Sequence, residues 1–329
     1  MGRRNGTILV TTLWILALLT LLALGIGTRM GIDVKIMGYS VNRIKARYLA
    51  RAGILRCANI IESDGNKNLD YLKELWSAGY DYDEEKHLLK AVPLGEGHFT
   101  VSHILESGEG VPTELFGASD EEALVNVNKA DDDMLSRLPG FTAEIVAAVI
   151  DWRDEDGAPY NYAGSRGAET DYYENEIENP YPCKNAPFSV PEELLLVRGI
   201  TLSVYEGVKD LITVFGNDAA VNVNTASYQV LDALTGDVGF EERPMDICIF
   251  RNGPDMTAGT EDDEVINDIK FFASKFLLNE RQMKYFKMNT NTFRVRSTGS
   301  VKGGKVRQTI ETVLSRSGEG FEYLYYHED

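Results

Sequence analysis

Cysteine and histidine are scarce in this chain of 329 residues. Its three cysteines are too few for a disulfide scaffold, and their spacing matches no zinc-binding pattern. None of the four histidines stands in a metal-ligand pair or beside a glycine-framed serine or cysteine. The sequence therefore predicts a protein that is not an enzyme.

Basic residues are also in the minority. The chain has 33 Lys and Arg against 51 Asp and Glu, a formal net charge of −18. The first thirty residues contain three arginines and no acid, so the remaining chain is more acidic still. Because such a surface repels nucleic-acid phosphates and anionic lipid headgroups, we expect no nucleic-acid partner.

Near the N-terminus, no charged residue interrupts the run from Thr7 to Thr28. At roughly 1.5 Å per residue a helix of this length covers about 33 Å, which is enough to cross a bilayer. Arg3 and Arg4 precede the run, and basic flanks stay on the cytoplasmic side. A secretory signal would have a shorter apolar region and a small-residue cleavage site. We therefore expect a single-pass protein with a cytoplasmic N-terminus and an external head.

Beyond this span, apolar residues continue at helical spacing, and no proline occurs before Glu62. This apolar stripe consists of Val34, Met37, Val41, Ile44, Tyr48, Ala52, Leu55 and Ala58. The pattern predicts one long helix, half in lipid and half packed on a globular head. The alternative is a plain anchor followed by an unrelated helix.

The leader "MGRRNG", the apolar run and the continuing helix together resemble the N-terminus of type IV prepilins. This resemblance implies cleavage by a prepilin peptidase between Gly6 and Thr7, and N-methylation of the new terminus. Most members have glutamate at the fifth mature position, where this chain has Thr11. In lacking that glutamate the sequence is similar to the minor pseudopilin K family of type II secretion.

The resemblance to pseudopilin K implies a protein of the inner membrane with a periplasmic head. Such a subunit initiates or caps the pseudopilus tip, because no neighbour above it offers an amine for a glutamate to neutralise. The expected partners are minor pseudopilins of the I and J types, which would lie against the apolar stripe, and secreted substrates are a further candidate. The alternative is a minor pilin of a related type IV system.

Two segments in the middle of the chain share one scheme. "VNVNKADDDMLSRLPGF" begins at Val125 and "VNVNTASYQVLDALTG" at Val221, and "VPEELLLVRGITLSVYEGVKDL" repeats the helix, glycine turn and helix. Helix-hairpin-helix domains have such turns and bind DNA phosphates through them, so a membrane-anchored DNA receptor is a competing hypothesis. The acidic surroundings argue against it. The pseudopilin K family has an inserted helical domain, similar to sterile alpha motifs, that would use the same pattern structurally.

Strand patterns flank this helical block. "GHFTVSHIL" from Gly97 alternates polar and apolar residues, and two further strands are predicted around Phe293 and Val306 with a turn at Gly303 and Gly304. We therefore predict an α+β fold in which a long pilin helix packs on a small antiparallel sheet interrupted by a large helical insertion. The expected divisions are a leader at 1–6, a transmembrane part at 7–30, the pilin-like domain at 31–118 and 286–329, and the inserted domain at 119–285.

The segment from Asp151 to Asn185 is rich in acids, glycines and prolines. Its carboxylates are oxygen ligands in irregular backbone, which suits Ca²⁺, although a solvated acidic loop explains the same composition. The pseudopilin K family binds calcium in its helical domain, and the acidic segment ends there with "PY" and an Asn, as at Pro180, Tyr181 and Asn185. The predicted ligands are Asp151, Asp154, Asp156, Glu169, Asp171 and Asn185.

A second acidic turn, "GPDMTAGTEDDEVIND", offers another set of oxygen ligands. A second Ca²⁺ and a solvated hairpin tip fit this turn equally well. Its candidate ligands are Asp255, Thr260, Asp262 and Asp263. Among the cysteines, Cys57 falls on the long helix, so one bridge between Cys183 and Cys248 is weighed against three free thiols.

Overall fold

The computed structural model describes residues 5–82, 84–106, 112–318 and 320–329. The predicted leader, residues 1–6, therefore falls largely outside the described residues. The first described element is helix α1, Asn5–Glu62, which runs for 58 residues without a break. This confirms the prediction of one continuous helix. Its apolar N-terminal part is long enough to cross a membrane, by length and composition.

The second half of α1 packs on a sheet through small residues. Ala46 and Ala50 are fully buried, and both approach Gly299 in the middle of the sheet. A Cβ atom at Gly299 would lie 2.6 Å from the backbone nitrogen of Ala50, so only glycine allows this approach. Further along α1, Cys57 and Ile61 complete its buried side.

Most of the predicted apolar stripe does not contact the head, although Ala52 and Ala58 pack on its core. Val34 is 71% exposed and Tyr48 is 64% exposed, whereas Ala58 alone at the end of the stripe is buried. Periodicity places these residues together on one side of the helix but cannot say what covers that side. The structure leaves the stripe open along most of its length.

Among the described residues, seven short strands follow α1 and begin the pilin-like domain. They are β1 Tyr80–Asp81, β2 Lys86–His87, β3 Val92–Leu94, β4 Gly97–Val101, β5 His103–Glu106, β6 Pro112–Leu115 and β7 Ser119–Asp120.

The helical domain comes next. Its elements are a 3-10 turn at Glu121–Ala123, β8 Val125–Asn126, α2 Asp132–Leu135, α3 Ala143–Arg153, β9 Asn161–Tyr162, β10 Ser165–Arg166, α4 Thr170–Asn175, a 3-10 turn at Pro191–Leu196, α5 Leu202–Val208, β11 Ile212–Thr213, β12 Val221–Asn222, α6 Tyr228–Thr235, α7 Arg243–Arg251, α8 Ile269–Lys275, α9 Glu280–Met283 and β13 Phe286–Lys287.

Three long strands then return to the pilin-like domain: β14 Thr292–Val301, β15 Val306–Arg316 and β16 Phe321–Glu328. Among the described residues the main sheet has the order β16-β15-β14-β4-β3, and β7 also pairs with β14. Since β4 precedes the helical block and β14 follows it, their antiparallel pairing confirms that the helical domain is an insertion. The predicted strands around Phe293 and Val306 and the turn at Gly303 and Gly304 are present.

The strands next to the expected domain boundaries pair as follows. Ser119–Asp120 forms β7 of the main sheet, and Phe286–Lys287 pairs with β12 inside the helical domain. Sequence patterns also miss β16, which is rich in tyrosine. Of the two alternatives for the cysteines, the structure has the three free thiols: Cys183 and Cys248 are both buried and unbridged, as is Cys57. Cys183 and Cys248 lie in the apolar core of the helical domain, where a small uncharged side chain packs well.

Candidate metal centres

The asparagines of the two VNVN segments form hydrogen bonds with backbone groups that are distant in sequence within the helical domain. Asn126 donates from its amide nitrogen to the carbonyl oxygen of Phe215 at 2.8 Å. The side-chain amide of Asn128 makes two hydrogen bonds with the backbone of Phe188. Its nitrogen donates to the carbonyl oxygen of Phe188 at 2.9 Å, and its oxygen accepts from the backbone nitrogen of Phe188 at 2.8 Å. In the second segment, Asn224 makes the same pair of bonds with Ile266.

An arginine at the end of a helix hydrogen-bonds to each VNVN segment; Arg153 is half-buried and Arg251 is buried. Arg153, the last residue of α3, donates to the carbonyl oxygens of Val127 and Ala130. Arg251, the last residue of α7, donates to the equivalent carbonyls of Val223 and Ala226, at 3.1 and 2.7 Å. Sequence reasoning missed both arginines, although each follows its VNVN segment at a similar distance.

These contacts bear on the DNA-receptor hypothesis. The asparagine side chains of the VNVN segments make internal hydrogen bonds. The helix-capping residues Asp131 and Ser227 accept hydrogen bonds from backbone nitrogens of their own helices. The asparagine side chains are thus engaged inside the protein and are not available to a phosphate. The repeat is therefore an internal scaffold, and each copy ends in an arginine directly followed by an acidic loop.

The first acidic loop begins immediately after Arg153. One carboxylate oxygen from each of Asp154, Asp156 and Glu169 lies within 4.8 Å of the others. Glu169 is brought there as the residue preceding α4, and Asp154 as the residue following α3. Acids up to fifteen residues apart in sequence thus lie close together.

Several oxygen atoms at this point are buried and have no hydrogen-bond partner. They are Asp151 Oδ2, Asp154 Oδ1, both carboxylate oxygens of Glu169, and Asn185 Oδ1. Unpaired buried acceptors are costly in a folded protein, and carboxylates are the costliest of them. All five atoms are hard oxygen ligands, so the residues present fit a calcium ion.

Burial and mutual repulsion both disfavour the charged forms of these acids. Burial raises the pKa of Asp151 to about 7, and neighbouring acids add to this effect. The pKa values of Asp154 and Glu169 are also raised, first by burial and then by the nearby carboxylates. A bound cation would reverse these shifts, because it favours the charged form.

Two other predicted ligands, Asp171 and Asn185, differ in their position relative to this cluster. Asp171 is exposed on α4 and accepts a hydrogen bond from Asn175 at 2.9 Å, outside the cluster. Its place in the ligand set is not supported by the geometry. Asn185 has a left-handed backbone with φ of 45° and donates to the carbonyl oxygen of Asp156, which aligns its amide with the loop.

The second acidic turn follows Arg251 in the second repeat. The hydroxyl oxygen of Thr260 lies 3.4 Å from Asp255 Oδ1, 2.8 Å from Asp262 Oδ1 and 3.3 Å from Asp263 Oδ1. A hydroxyl has one proton and can donate to only one of these oxygens. Three carboxylates around one hydroxyl therefore leave an excess of negative charge, which a cation would neutralise.

At the other end of the chain, Gly6 and Thr7 lie in the first turns of α1. Thr11 stands one turn further on, and its hydroxyl lies 3.1 and 2.9 Å from the carbonyl oxygens of Thr7 and Ile8. The side chain is thus neutral and satisfied within its own helix.

Comparisons with known proteins agree with this architecture. Residues 124–217, which include the first VNVN repeat, match the family model "Type II secretion system (T2SS), protein K". The chain is 25% identical over 246 residues to the type II secretion system protein K of Pseudomonas aeruginosa, covering 70% of this chain and 68% of that protein.

Among solved structures, the fold is similar to a chain in the crystal structure of the GspK-GspI-GspJ complex from the enterotoxigenic Escherichia coli type 2 secretion system. The TM-score is 0.58 at 17% identity, with 92% of this chain and 99% of that chain covered. The long apolar helix, the interrupted sheet and the inserted helical repeats are thus accompanied by a match of residues 124–217 to protein K of type II secretion systems and by 25% identity to one such protein.

Proposed function

We propose that this protein is the minor pseudopilin at the tip of a type II secretion pseudopilus, where it helps to initiate or cap the filament. Minor pseudopilins of the protein K family are structural, non-catalytic components of the secretion apparatus. In this proposal, a prepilin peptidase cleaves between Gly6 and Thr7. The helix then anchors the protein in the inner membrane with its N-terminus cytoplasmic and its head periplasmic, as the preceding arginines favour.

The observation that carries the tip position is the neutral residue Thr11. Inside a pilin filament, a glutamate at this position meets the terminal amine of the subunit above. An unpaired charge in lipid or a dry helical bundle costs several kcal/mol. The hydroxyl of Thr11 is hydrogen-bonded to carbonyl oxygens of its own helix, and the side chain has no negative charge to pair with such an amine. A subunit of this kind fits a place with no neighbour above it.

The open apolar stripe of α1 supports assembly with other pseudopilins. Ile44 is 53% exposed and Tyr48 is more exposed still, although both lie beside the head and outside the span expected to be in lipid. Apolar side chains along one side of a helix are typical of helix–helix packing. We therefore propose that minor pseudopilins of the I and J types pack their own long helices against this stripe.

The two acidic loops are proposed calcium sites, and the structure gives more support for the first than for the second. At the first, Asp154, Asp156, Glu169 and Asn185 would hold the ion, with Asp151 beside them. Calcium would supply positive charge that permits these acids to be buried together. The ion would be structural, since it holds the segment between α3 and the end of the loop against the helical core.

Co-expression with I-type and J-type minor pseudopilins tests the tip position. Native mass spectrometry of the complex purified in detergent should show one copy of this chain per complex. Thr11→Glu should leave that stoichiometry unchanged, because no subunit lies above. Homopolymeric fibres formed by this chain alone would refute the proposal.

A pair of matched variants tests the stripe. Ile44→Glu should weaken co-purification, because it puts a charge in the proposed helix–helix contact. Leu202→Glu makes the same change at a 65% exposed position on α5 and should leave co-purification intact. Equal behaviour of the two variants would show that partners bind elsewhere.

A further inference from the structure

The part of α1 that follows the apolar run is basic, although the chain as a whole is acidic. Residues 29–56 contain seven of the 33 lysines and arginines and one of the 51 acids, Asp33. Their formal charge is therefore +6, in a chain whose net charge is −18. The seven basic residues are Arg29, Lys35, Arg43, Lys45, Arg47, Arg51 and Arg56.

Two of these arginines border the apolar stripe on the side of β16. Arg47 and Arg51 are one turn apart on α1, and both pair with the carboxylate of Glu328, at 2.8 and 3.0 Å. Arg51 stands three positions after the stripe residue Tyr48, and its guanidinium carbon lies 5.9 Å from the centroid of the Tyr48 ring. Because one carboxylate serves two arginines, this side of the stripe keeps a net positive charge.

The opposite side of the stripe is basic too. Lys45 pairs with Glu96, which stands between β3 and β4, and these strands lie at the other edge of the main sheet from β16. Arg56 is exposed about three helical turns after Lys45, which places both on the same side of α1. In the part of the chain that the structure describes, Arg56 forms no ion pair. The stripe thus runs between two rows of cations.

A stripe bordered by cations favours one kind of partner. In paired helices, charges beside the apolar seam set partner choice. The complement of this face is a helix whose own apolar seam is bordered by Asp and Glu. A second copy of this chain would leave the same membrane in the same direction and would bring its own Arg47 and Arg51 to the contact. Like charges placed opposite each other oppose that contact.

Anionic lipid also attracts cations, but most of this face lies beyond its reach. The apolar run ends at Thr28, and Tyr48 stands twenty residues further on, about 30 Å along the helix. The headgroup region extends only about 5–8 Å beyond the hydrocarbon core. A helix that leaves the membrane beside α1, in contrast, can follow the stripe along its whole length.

We propose that the apolar stripe selects a partner helix of acidic character, and that the cations on its two sides exclude a second copy of this chain. This inference rests on the proposed function and adds the chemistry of the partner helix. In the complex, carboxylates of the partner join or replace Glu328 at Arg47 and Arg51. The apolar seam supplies the contact area, and the charges decide which helix may occupy it.

The experiment uses the full chain in a neutral detergent, so that no anionic lipid is present, with purified I-type and J-type minor pseudopilins. The dissociation constant is measured at low and at high salt. The double variant Arg47→Gln, Arg51→Gln should bind roughly two- to thirtyfold more weakly at low salt, the range expected for two exposed ion pairs. High salt should remove most of this difference. The matched double variant Arg296→Gln, Arg307→Gln changes two exposed arginines of the sheet and should bind normally.

A change at Glu328 separates partner binding from a purely internal role of the arginines. If Arg47 and Arg51 only attach α1 to β16, Glu328→Gln should weaken the complex as much as the double arginine variant does. If they receive the acids of a partner, Glu328→Gln frees both arginines and should leave the affinity unchanged or raise it.

A complex that ignores salt and the loss of both arginines would overturn this inference alone, as would equal weakening by Glu328→Gln. Sedimentation of the chain by itself should show no dimer held by the stripe. A homodimer at low salt that Ile44→Glu dissociates would assign the stripe to a second copy and overturn the proposal. No complex with either pseudopilin would overturn the proposed partners and this inference together.

Discussion

Replacing Glu169 by Gln should have opposite effects on the protein with and without calcium. Glu169 is buried at 6% exposure, and neither of its carboxylate oxygens has a hydrogen-bond partner. Its pKa is raised by burial and by the carboxylates of Asp154 and Asp156, so its charge opposes folding when no cation is present. Glu169→Gln removes that charge at nearly constant volume. The calcium-free variant should therefore be more stable than the wild type.

With calcium the order should reverse. A ligand that binds only the folded protein adds about 2.7 kcal/mol at a hundredfold excess over its Kd. For a cooperative unit of roughly 150–250 residues, each kcal/mol raises Tm by about 2–4 °C, so the wild type should gain about 5–11 °C. Glu169→Gln lacks one of the charges that bind the ion and should gain much less.

Differential scanning calorimetry in chelator and in excess calcium measures both effects. Asp171→Asn is the matched control, because Asp171 is an exposed acid of the same segment that lies outside the cluster. It should keep the full calcium shift. A wild type that melts at one temperature in chelator and calcium would refute the reasoning, as would equal shifts in wild type and Glu169→Gln.

Three further results are expected. Burial raises the pKa of Asp120 to about 7, so the folded state holds a proton that the unfolded state releases. Stability in urea should fall as pH rises from about 5 to 7, by on the order of 1.4 kcal/mol per pH unit for this group, and Asp120→Asn should flatten the slope. Arg251→Met should cost at least about 2 kcal/mol in the same assay, because it leaves two buried carbonyls without donors, while Arg56→Met at an exposed site should be nearly neutral. Mass spectrometry of the native protein should find N-methylated Thr7 as the first residue. Retention of Arg3 in the mature protein would contradict processing at Gly6.

Local patterns in the sequence were enough to predict the long helix, the strands on both sides of the insertion and the acidic loops. A helix without proline and an alternating strand are determined by neighbouring residues, so their signals are short-range. Asp154, Asp156 and Glu169 were among the candidate ligands, since these acids occur in one short irregular segment. Asp171 lies in that segment too, but the turn of α4 carries it away from the others.

Only the tertiary structure decided which faces are covered and which distant groups meet. The stripe containing Ile44 is as apolar as a core face, yet the small residues Ala46 and Ala50 pack on the sheet, because close approach to Gly299 requires little side-chain volume. Likewise, no local pattern pairs Lys73 with the carbonyl oxygen of Asp263, almost two hundred residues away. Such contacts depend on how the insertion returns to the sheet, and a sequence determines that only through the packing of the whole chain.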